Sequence, residues 1–153
     1  MQSTEDDIKL RDFTLADTDA VISLWVRCGL TRPWNDPGKD IQRKTDELGR
    51  GGTGWFWVVE KGGQIVGAVM VGYDGHRGSV NYLVVDPACQ TQGIGRLMMQ
   101  RAEAELTAVG CPKINLLVRT DNKGVLKFYD QLGYGVDAVI ALSYRLIDDQ
   151  GTG

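Results

Sequence analysis

One short segment of the chain combines glutamine, glycine and arginine in a pattern suited to holding an anion. It reads Gln90-Thr91-Gln92-Gly93-Ile94-Gly95-Arg96 and lies between an apolar run ending at Val85 and an amphipathic stretch typical of a helix. The N–H groups at a helix start have no intrahelical acceptor, and the helix dipole adds partial positive charge there. Glycines let an anion approach the backbone, and Arg96 adds a cation. The segment predicts a phosphate-binding loop, with an ordinary strand–helix turn as the alternative.

A second segment places Asn122, Phe128, Tyr129 and Gly133 at the spacing of a capped helix. Asparagine is favourable at a helix N-cap, and glycine often ends a helix because it readily adopts the left-handed conformation. Tyr129 would lie about two turns after the N-cap, and Phe128 and Tyr129 would pack as aromatic residues of the core.

The elements that would position these residues follow from the periodicity of the apolar residues. Alternating apolar and polar residues predict a first strand. Apolar residues at helical spacing then predict a helix up to about residue 27, and three strands joined by glycine-rich turns come next. The predicted strands are 8–13, 55–60, 65–73, 79–85, 114–118 and 139–146, and the later helices are 39–48, 93–108 and 122–132. Residues 148–153 are expected to fray. The order predicts an α/β (α+β) protein whose mixed central sheet has an antiparallel N-terminal meander, a βαβ unit and about four flanking helices.

The composition excludes several classes of protein. The chain has 153 residues, 42% hydrophobic and 24% charged, which fits a single domain over 1–153 with a core at about 8–146. The net charge is -3 and no basic block occurs, so nothing indicates nucleic acid. No apolar run approaches the roughly 20 residues of a membrane helix and no secretory signal is visible, so a cytoplasmic location is expected. The three cysteines are scattered, and no metal site is expected.

Both segments resemble signatures of one family. The pattern Gln90-x-x-Gly93-x-Gly95 resembles the coenzyme A (CoA) binding signature of the GNAT (GCN5-related N-acetyltransferase) superfamily. The segment 122–134 resembles the second hallmark of that superfamily, with Val125 where alanine is common. The element order over 8–146 is also similar to the GNAT acyl-CoA N-acyltransferase fold. On this resemblance, the chain is expected to be an acetyl-CoA-dependent N-acetyltransferase.

The resemblance implies direct transfer of acetyl from acetyl-CoA to a primary amine in a ternary complex, without an acyl-enzyme. The acceptor would be a small amine, an amino acid or a peptide N-terminus. The strands 79–85 and 114–118 would separate at a bulge, and the pantetheine of CoA would pair with the open edge. The residues expected to bind CoA are Leu83, Val85, Gln90, Thr91, Gln92, Gly93, Ile94, Gly95, Arg96 and Asn122. The alternative is a non-catalytic acyl-CoA-binding sensor or regulatory module of the same fold.

The resemblance implies that Tyr129 faces the sulfur end of CoA and acts as the general acid, because a phenol of pKa about 10 can lend its proton to the departing thiolate. The alternative is that Tyr129 only packs in the core.

The resemblance leaves the general base open. Many relatives carry a glutamate on the strand that corresponds to 79–85, but here Asn81 occupies that position and does not titrate. Asp74 and His76 in the preceding hairpin are candidate bases, because a histidine titrates near neutral pH. A backbone-held water or Asp36 are further alternatives, and a solvated surface residue is the alternative for His76.

The resemblance also places the acceptor between two loops, 32–36 and 74–77. The residues expected to line this pocket are Trp34, Asp36, Tyr73, Asp74 and Tyr82. Aromatic faces and carboxylates together would hold a cation, whereas the alternative for both aspartates is turn formation. Segments 32–37 and 72–78 resemble a small bacterial single-domain subgroup of unassigned acceptor. A homodimer through C-terminal strand exchange or sheet-edge pairing is also considered.

Overall fold

The computed structural model describes residues 7–150 and shows a five-stranded mixed sheet of order β1-β2-β3-β4-β5 with four α-helices. Strands β1 to β4 pair antiparallel and β5 pairs parallel to β4. The strands are β1 Ile8–Asp12, β2 Gly54–Lys61, β3 Gln64–Tyr73, β4 Gly78–Val85 and β5 Ile114–Asn115. The helices are α1 Thr18–Arg27, α2 Pro37–Gly49, α3 Ile94–Ala108 and α4 Lys123–Gln131. This is the predicted mixed α/β architecture, with the meander before the β4–α3–β5 unit.

The central strands β2 and β3 are buried on both sides of the sheet. Their apolar runs are continuous, as expected for strands whose two faces are both covered. One face packs against α3 and α4 in a cluster that contains Val69 and Met98. The other face packs against α1 and α2 in a cluster that contains Trp25 and Ile41. Within residues 7–150, no helix has both the length and the apolar character needed to cross a membrane.

A buried ion pair holds the start of α1 against the sheet. Asp17 accepts hydrogen bonds from the backbone N–H of Thr14 at 2.8 Å and from the Thr14 hydroxyl at 3.1 Å. Arg11 on β1 bonds both carboxylate oxygens of Asp17 at 2.8 Å and also pairs with Glu60. The guanidinium beside it lowers the pKa of Asp17 to about 2.

Strand β4 carries a bulge that shapes the site. Ala68 on β3 pairs with Val84, whereas Met70 pairs with Asn81, so β4 contains an extra residue between these points. Tyr82 lies in this interval with a φ of 54°, an uncommon conformation for a residue with a large side chain. The predicted bulge is therefore confirmed.

Strands β4 and β5 separate soon after they start. They pair only at Gly78–Ile114 and Ser79–Asn115. Beyond this point, β4 runs alone on its β5 side among the described residues. The separation of the two strands, which the resemblance implied, is also confirmed.

Two predictions for the C-terminal part of the chain are wrong. Residues 139–146 form no strand, and side chains such as Leu142 and Tyr144 are 91% and 88% exposed. The reason is that β5 ends at Asn115 instead of continuing to 118, and the described chain offers these residues no hydrogen-bonded neighbour. Asp149, predicted to fray, is buried and pairs with Arg43 at 2.5 Å. The rest of the predicted tail, 151–153, lies outside the described residues.

Candidate active site

The loop after β4 leads directly into the N-terminus of α3. Asp86 accepts a hydrogen bond from the backbone N–H of Ala88 at 2.9 Å and caps a short 3-10 turn, Pro87–Cys89. Thr91 and Gly93 then adopt positive φ values of 71° and 79°. Glycine takes this conformation without strain, but threonine rarely does. The loop is thus held in a specific, partly strained shape in front of the helix.

The backbone N–H groups of this loop face no protein acceptor. From Gln90 to Arg96, none donates a hydrogen bond to another of residues 7–150. A Cβ atom added at Gly93, the N-cap of α3, would meet nothing within 4 Å, so the space before the helix is open. Unpaired donors at the positive end of a helix dipole are the features that favour anion binding. The phosphate-binding role of this loop stays a prediction.

Two cations flank the loop, and the sequence analysis found only one of them. Arg96 is exposed on the first turn of α3, as predicted. Lys61 at the end of β2 donates a hydrogen bond to Oε1 of Gln92 at 2.8 Å. No local pattern indicates Lys61, because only the pairing of the sheet strands brings the end of β2 beside this loop.

Gly95 has a role that its place in the motif does not reveal. A Cβ atom at this position would lie 2.9 Å from Cζ and 3.1 Å from Cε1 of Phe128 on α4. Both distances are shorter than a normal van der Waals contact. Gly95 therefore allows α4 to pack against the start of α3, whereas Gly93 provides the backbone conformation of the loop.

The open edge of β4 lies between the loop and the bulge. Leu83 and Val85 are half-buried and pack towards the α3–α4 face. The carbonyl of Val85 accepts a weak hydrogen bond from Sγ of Cys28 at 3.4 Å, and burial raises the pKa of that thiol. From Asn81 to Val85, no partner strand covers the β5 side within the described part of the chain. This edge is available to an extended ligand with amide groups.

Helix α4 brings Asn122 and Tyr129 to the same face of the sheet. Oδ1 of Asn122 accepts a hydrogen bond from the backbone N–H of Val125 at 3.2 Å, which confirms the predicted N-cap. The ring of Tyr129 is 8% exposed and packs edge-on against Phe128 and Tyr134. Burial raises the pKa of Tyr129 to about 12. The phenol therefore keeps its proton at neutral pH.

On the opposite face of the sheet, a cleft lies beneath the loop between α1 and α2. Its lining residues are Leu30, Asn35, Asp40, Met70, Asn81 and Tyr82. The Tyr82 hydroxyl donates a hydrogen bond to Oδ2 of Asp40 at 2.5 Å, and its ring stacks on Trp25 with centroids 3.9 Å apart. Burial and the nearby carboxylate raise the pKa of Tyr82 well above its usual range. Tyr82 therefore acts as a donor to Asp40.

Asp40 is held from its other side as well. Oδ1 of Asp40 pairs with Arg43 at 3.1 Å, and Arg43 in turn pairs with the buried Asp149. This guanidinium keeps the pKa of Asp149 well below its usual range. The sequence analysis missed Asp40 because it lies on a polar helix, where a carboxylate is usually a solvent-facing residue.

Comparison with known proteins identifies the family to which this site belongs. Residues 18–134 match the acetyltransferase (GNAT) family. The chain belongs to this family. It is 46% identical over 144 residues to an acetyltransferase of Sodalis glossinidius and 48% identical over 143 residues to one of Pectobacterium atrosepticum. Each match covers 94% of this chain and 99% of the relative.

The fold comparison agrees with the family assignment. A PaiA N-acetyltransferase from Thermoplasma acidophilum, solved in complex with coenzyme A, superposes with a TM-score of 0.75 at 15% identity. The match covers 88% of this chain and 93% of that one. The predicted GNAT membership and GNAT fold are thereby confirmed.

The residues predicted to bind the acceptor do not all lie together in this acetyltransferase. Tyr82 lines the cleft, and Trp34 is 43% exposed on the loop above it. Asp36 caps α2 by accepting from the backbone N–H of Lys39, so it has the turn-forming role named as its alternative. Tyr73 packs towards the α3–α4 face, on the other side of the sheet from the cleft.

The candidate bases Asp74 and His76 lie in the β3–β4 hairpin. Oδ1 of Asp74 accepts hydrogen bonds from the backbone N–H groups of His76 at 2.8 Å and Arg77 at 2.7 Å, and these bonds lower the pKa of Asp74. The stretch of β4 from Gly78 to Leu83 spans roughly 15 Å at about 3.3 Å per residue. The hairpin of the acetyltransferase is thus a strand length away from the bulge.

Proposed function

We propose that the protein transfers the acetyl group of acetyl-CoA to a primary amine by direct attack in a ternary complex. The observation that carries the proposal is the run of unpaired N–H groups from Gln90 to Arg96, placed between an open strand edge and two cations. A diphosphate is the anion that fits such a run, because several donors converge where the helix dipole favours negative charge. The fold neighbour with bound CoA supports this choice of ligand.

The chain's own residues would hold CoA in an extended form. The loop donors together with Arg96 and Lys61 would bind the diphosphate. The half-buried edge of β4 at Leu83 and Val85 would pair with the pantetheine amides, since no strand covers it within residues 7–150. The free amide N–H groups of Asn122 lie at the start of α4, where they would add a polar contact. The thioester would then lie near the bulge.

Tyr129 would assist departure of the thiolate as a general acid. Its hydroxyl makes no hydrogen bond within the described residues, so it is free to meet a ligand. With a pKa of about 12, the phenol stays protonated throughout the neutral range and donates a hydrogen bond as the C–S bond breaks. A backbone N–H near Leu83 would polarise the carbonyl.

The acceptor would lie in the cleft on the other face, with its ammonium group against Asp40. It would lose one proton to water in the open cleft, and the free amine would then attack the thioester carbon as the C–S bond breaks and the thiolate takes the proton of Tyr129. The carboxylate of Asp40 is fixed by Tyr82 and Arg43, and it lies beside Asn81, which replaces the glutamate of many relatives. Asp40 therefore supplies a negative charge where β4 has none. Trp34 would form the rim of the cleft and Asp36 its margin. Tyr73, on the other side of the sheet, and Asp74 and His76, in the β3–β4 hairpin, would not contact the acceptor.

A transfer assay with matched variants tests the proposal. Thiol release from acetyl-CoA is measured against a panel of small amines, amino acids and peptides. Asp40→Asn is expected to lower kcat/KM for the best amine by roughly tenfold to a hundredfold, because a desolvated ion pair is lost. The control is Asp46→Asn on the same helix, where the carboxylate pairs only with Gln42. Equal rates and an unchanged amine ranking in Asp40→Asn would remove Asp40 from the acceptor site.

The sensor function is the second candidate, and the lack of a carboxylate on β4 favours it. A sensor binds acetyl-CoA without releasing thiol. Calorimetric binding of acetyl-CoA with no turnover on any amine of the panel would favour the sensor. Absence of binding at millimolar CoA would contradict both candidates.

A further inference from the structure

The last described residues of the chain are anchored beside α2. Asp149 accepts hydrogen bonds from the backbone N–H of Asp36 at 2.9 Å and from Nη2 of Arg43 at 2.5 Å. Its side chain is only 1% exposed, whereas most aspartates face the solvent. Because a buried carboxylate is costly to separate from its partner, these bonds hold this part of the chain against the start of α2.

This anchor brings a guanidinium group to the cleft beneath the loop between α1 and α2. Nη2 of Arg145 donates a hydrogen bond to Oδ1 of Asn35 at 3.1 Å, and Nη1 donates to the carbonyl of Ile147 at 3.3 Å. Asn35 is one of the residues that line the cleft. Arg145 therefore lies at the edge of the cleft, although 110 positions separate it from Asn35 in the sequence.

A second guanidinium group lies on the loop itself. Nη1 of Arg32 donates to the carbonyls of Gly29 at 2.7 Å and Thr31 at 3.0 Å, on either side of Leu30, which lines the cleft. Arg32 and Arg145 thus bond only to neutral oxygen atoms. Neither forms an ion pair within residues 7–150. In the described part of the chain, two cations at the edge of the cleft have no anionic partner.

The wall of the cleft carries the opposite charge. Asp40 and Asp149 share the guanidinium of Arg43, at 3.1 Å and 2.5 Å. These three side chains together keep one negative charge, and Asp40 brings it to the wall of the cleft, where Tyr82 donates to it. The cleft has a volume of about 460 Å³, which is within the range of small-molecule sites. One small molecule can therefore meet both the negative wall and the positive edge.

We infer that the acceptor is an amino acid, whose α-ammonium group meets Asp40 and whose carboxylate meets Arg145 and Arg32. This inference rests on the proposed function, in which the cleft binds the acceptor. A guanidinium group presents its donors in a fork that matches the two oxygen atoms of a carboxylate. An amino acid brings one charge of each sign to the cleft. An alkylamine without a carboxylate would meet Asp40 but would leave both guanidinium groups without an anion.

Matched acceptors test the inference. Thiol release from acetyl-CoA is measured with amino acids, with their amides, with the corresponding decarboxylated amines and with phosphoethanolamine. The best amino acid is expected to exceed its amide and its decarboxylated amine in kcat/KM by about tenfold or more. Equal values would overturn the inference but not the proposed function, and a preference for phosphoethanolamine would overturn the choice of a carboxylate. No transfer to any amine would contradict the proposed function. Calorimetric binding of the amino acid but not its amide would then still support the carboxylate site, and binding of neither would overturn it.

Substitution of Arg145 tests its contact with the carboxylate. Arg145→Gln is expected to raise the KM of the amino acid by roughly fivefold at low salt, and by less at high salt, with little change in kcat. The KM of the decarboxylated amine should stay the same, and Arg145→Lys should recover part of the loss. The control is Arg50→Gln, which removes the same charge at the end of α2, where Arg50 pairs with Glu47. Equal changes in KM for the amino acid and the amine in Arg145→Gln would indicate a merely structural role and overturn the inference.

Discussion

Replacing Gly95 with alanine separates two explanations for the second glycine of the loop. One is close packing against Phe128, and the other is close approach of a phosphate to the backbone. In most helices, alanine in place of glycine stabilises the fold by about 0.5–1 kcal/mol. Gly95 is the second residue of α3, and an added Cβ atom would lie 2.9 Å from the ring of Phe128. Forcing a methyl group into a packed contact costs about 1–3 kcal/mol. We therefore expect Gly95→Ala to destabilise the protein by about 1–2 kcal/mol, the opposite sign.

Gly124 provides a matched control, because it is the second residue of α4. An added Cβ atom there would meet nothing within 4 Å, and the residue does not have a positive φ. Gly124→Ala is therefore expected to raise the free energy of unfolding by about 0.5–1 kcal/mol. Urea denaturation gives both values, and a change of 1 kcal/mol shifts the Tm of a chain of this size by about 2–4 °C.

A double mutant shows whether Phe128 is the cause. Phe128→Leu removes the ring atoms that meet the new methyl group. The loss in Gly95→Ala/Phe128→Leu should be smaller than the sum of the two single losses by at least about 1 kcal/mol. Additive losses would show that the contact is not responsible. A Gly95→Ala protein as stable as the natural chain but with weaker CoA binding would refute the packing argument and leave phosphate approach as the role of Gly95.

Four other perturbations have defined outcomes. Asp17→Asn is expected to lower the free energy of unfolding by about 2 kcal/mol at pH 7, because Arg11 lowers the pKa of Asp17 from 3.8 to about 2. This stabilisation is complete above pH 4 and is lost as the pH falls to about 2. Urea titrations at several pH values would show the loss. Tyr129→Phe should lower kcat by about 10²–10⁴ while the Kd of CoA and the stability change little. Lys61→Ala should raise the Kd of CoA about two- to fivefold at low salt, and less at high salt. Deleting Asn81 should preserve the fold in circular dichroism but lower kcat by about 10²–10³, as expected when an oxyanion donor is misplaced.

The parts of the site that the sequence predicted depend on local chemistry. Three residues each fix a helix terminus through their own conformational preferences. They are a glycine at the start of α3, an asparagine before α4 and a glycine at the end of α4. Gly93, Asn122 and Gly133 therefore lie where their residue types indicate, with Gly133 at a φ of 93°. The continuous apolar runs of β2 and β3 agree with the sheet being covered on both faces in the structure.

The parts that the sequence did not predict depend on distant contacts. Asp40 meets Tyr82, 42 positions later, and Lys61 meets Gln92, 31 positions later. Neither pairing leaves a periodic signal in the chain. Residues 139–146 show the opposite case, because their alternation is clear but a strand also needs a neighbour. Periodicity predicts which face of a segment is apolar, and it does not predict which surface covers that face.

The bulge in β4 explains how large side chains of one strand can pack on both faces of the sheet. Val80 packs towards the α3–α4 face, and in a regular strand residues 82 and 84 would follow it. Instead Tyr82 and Val84 pack towards the α1–α2 face, while Leu83 and Val85 pack towards α3 and α4.

The extra residue therefore inverts the alternation at Asn81, and both Asn81 and Tyr82 line the cleft beneath the loop between α1 and α2. Removing Asn81 would restore regular alternation without moving any apolar side chain to the wrong face, so the fold can survive while the site does not. The backbone irregularity of β4 thus turns Tyr82 towards Asp40, while the β4 edge becomes free earlier in the strand, where β5 ends at Asn115.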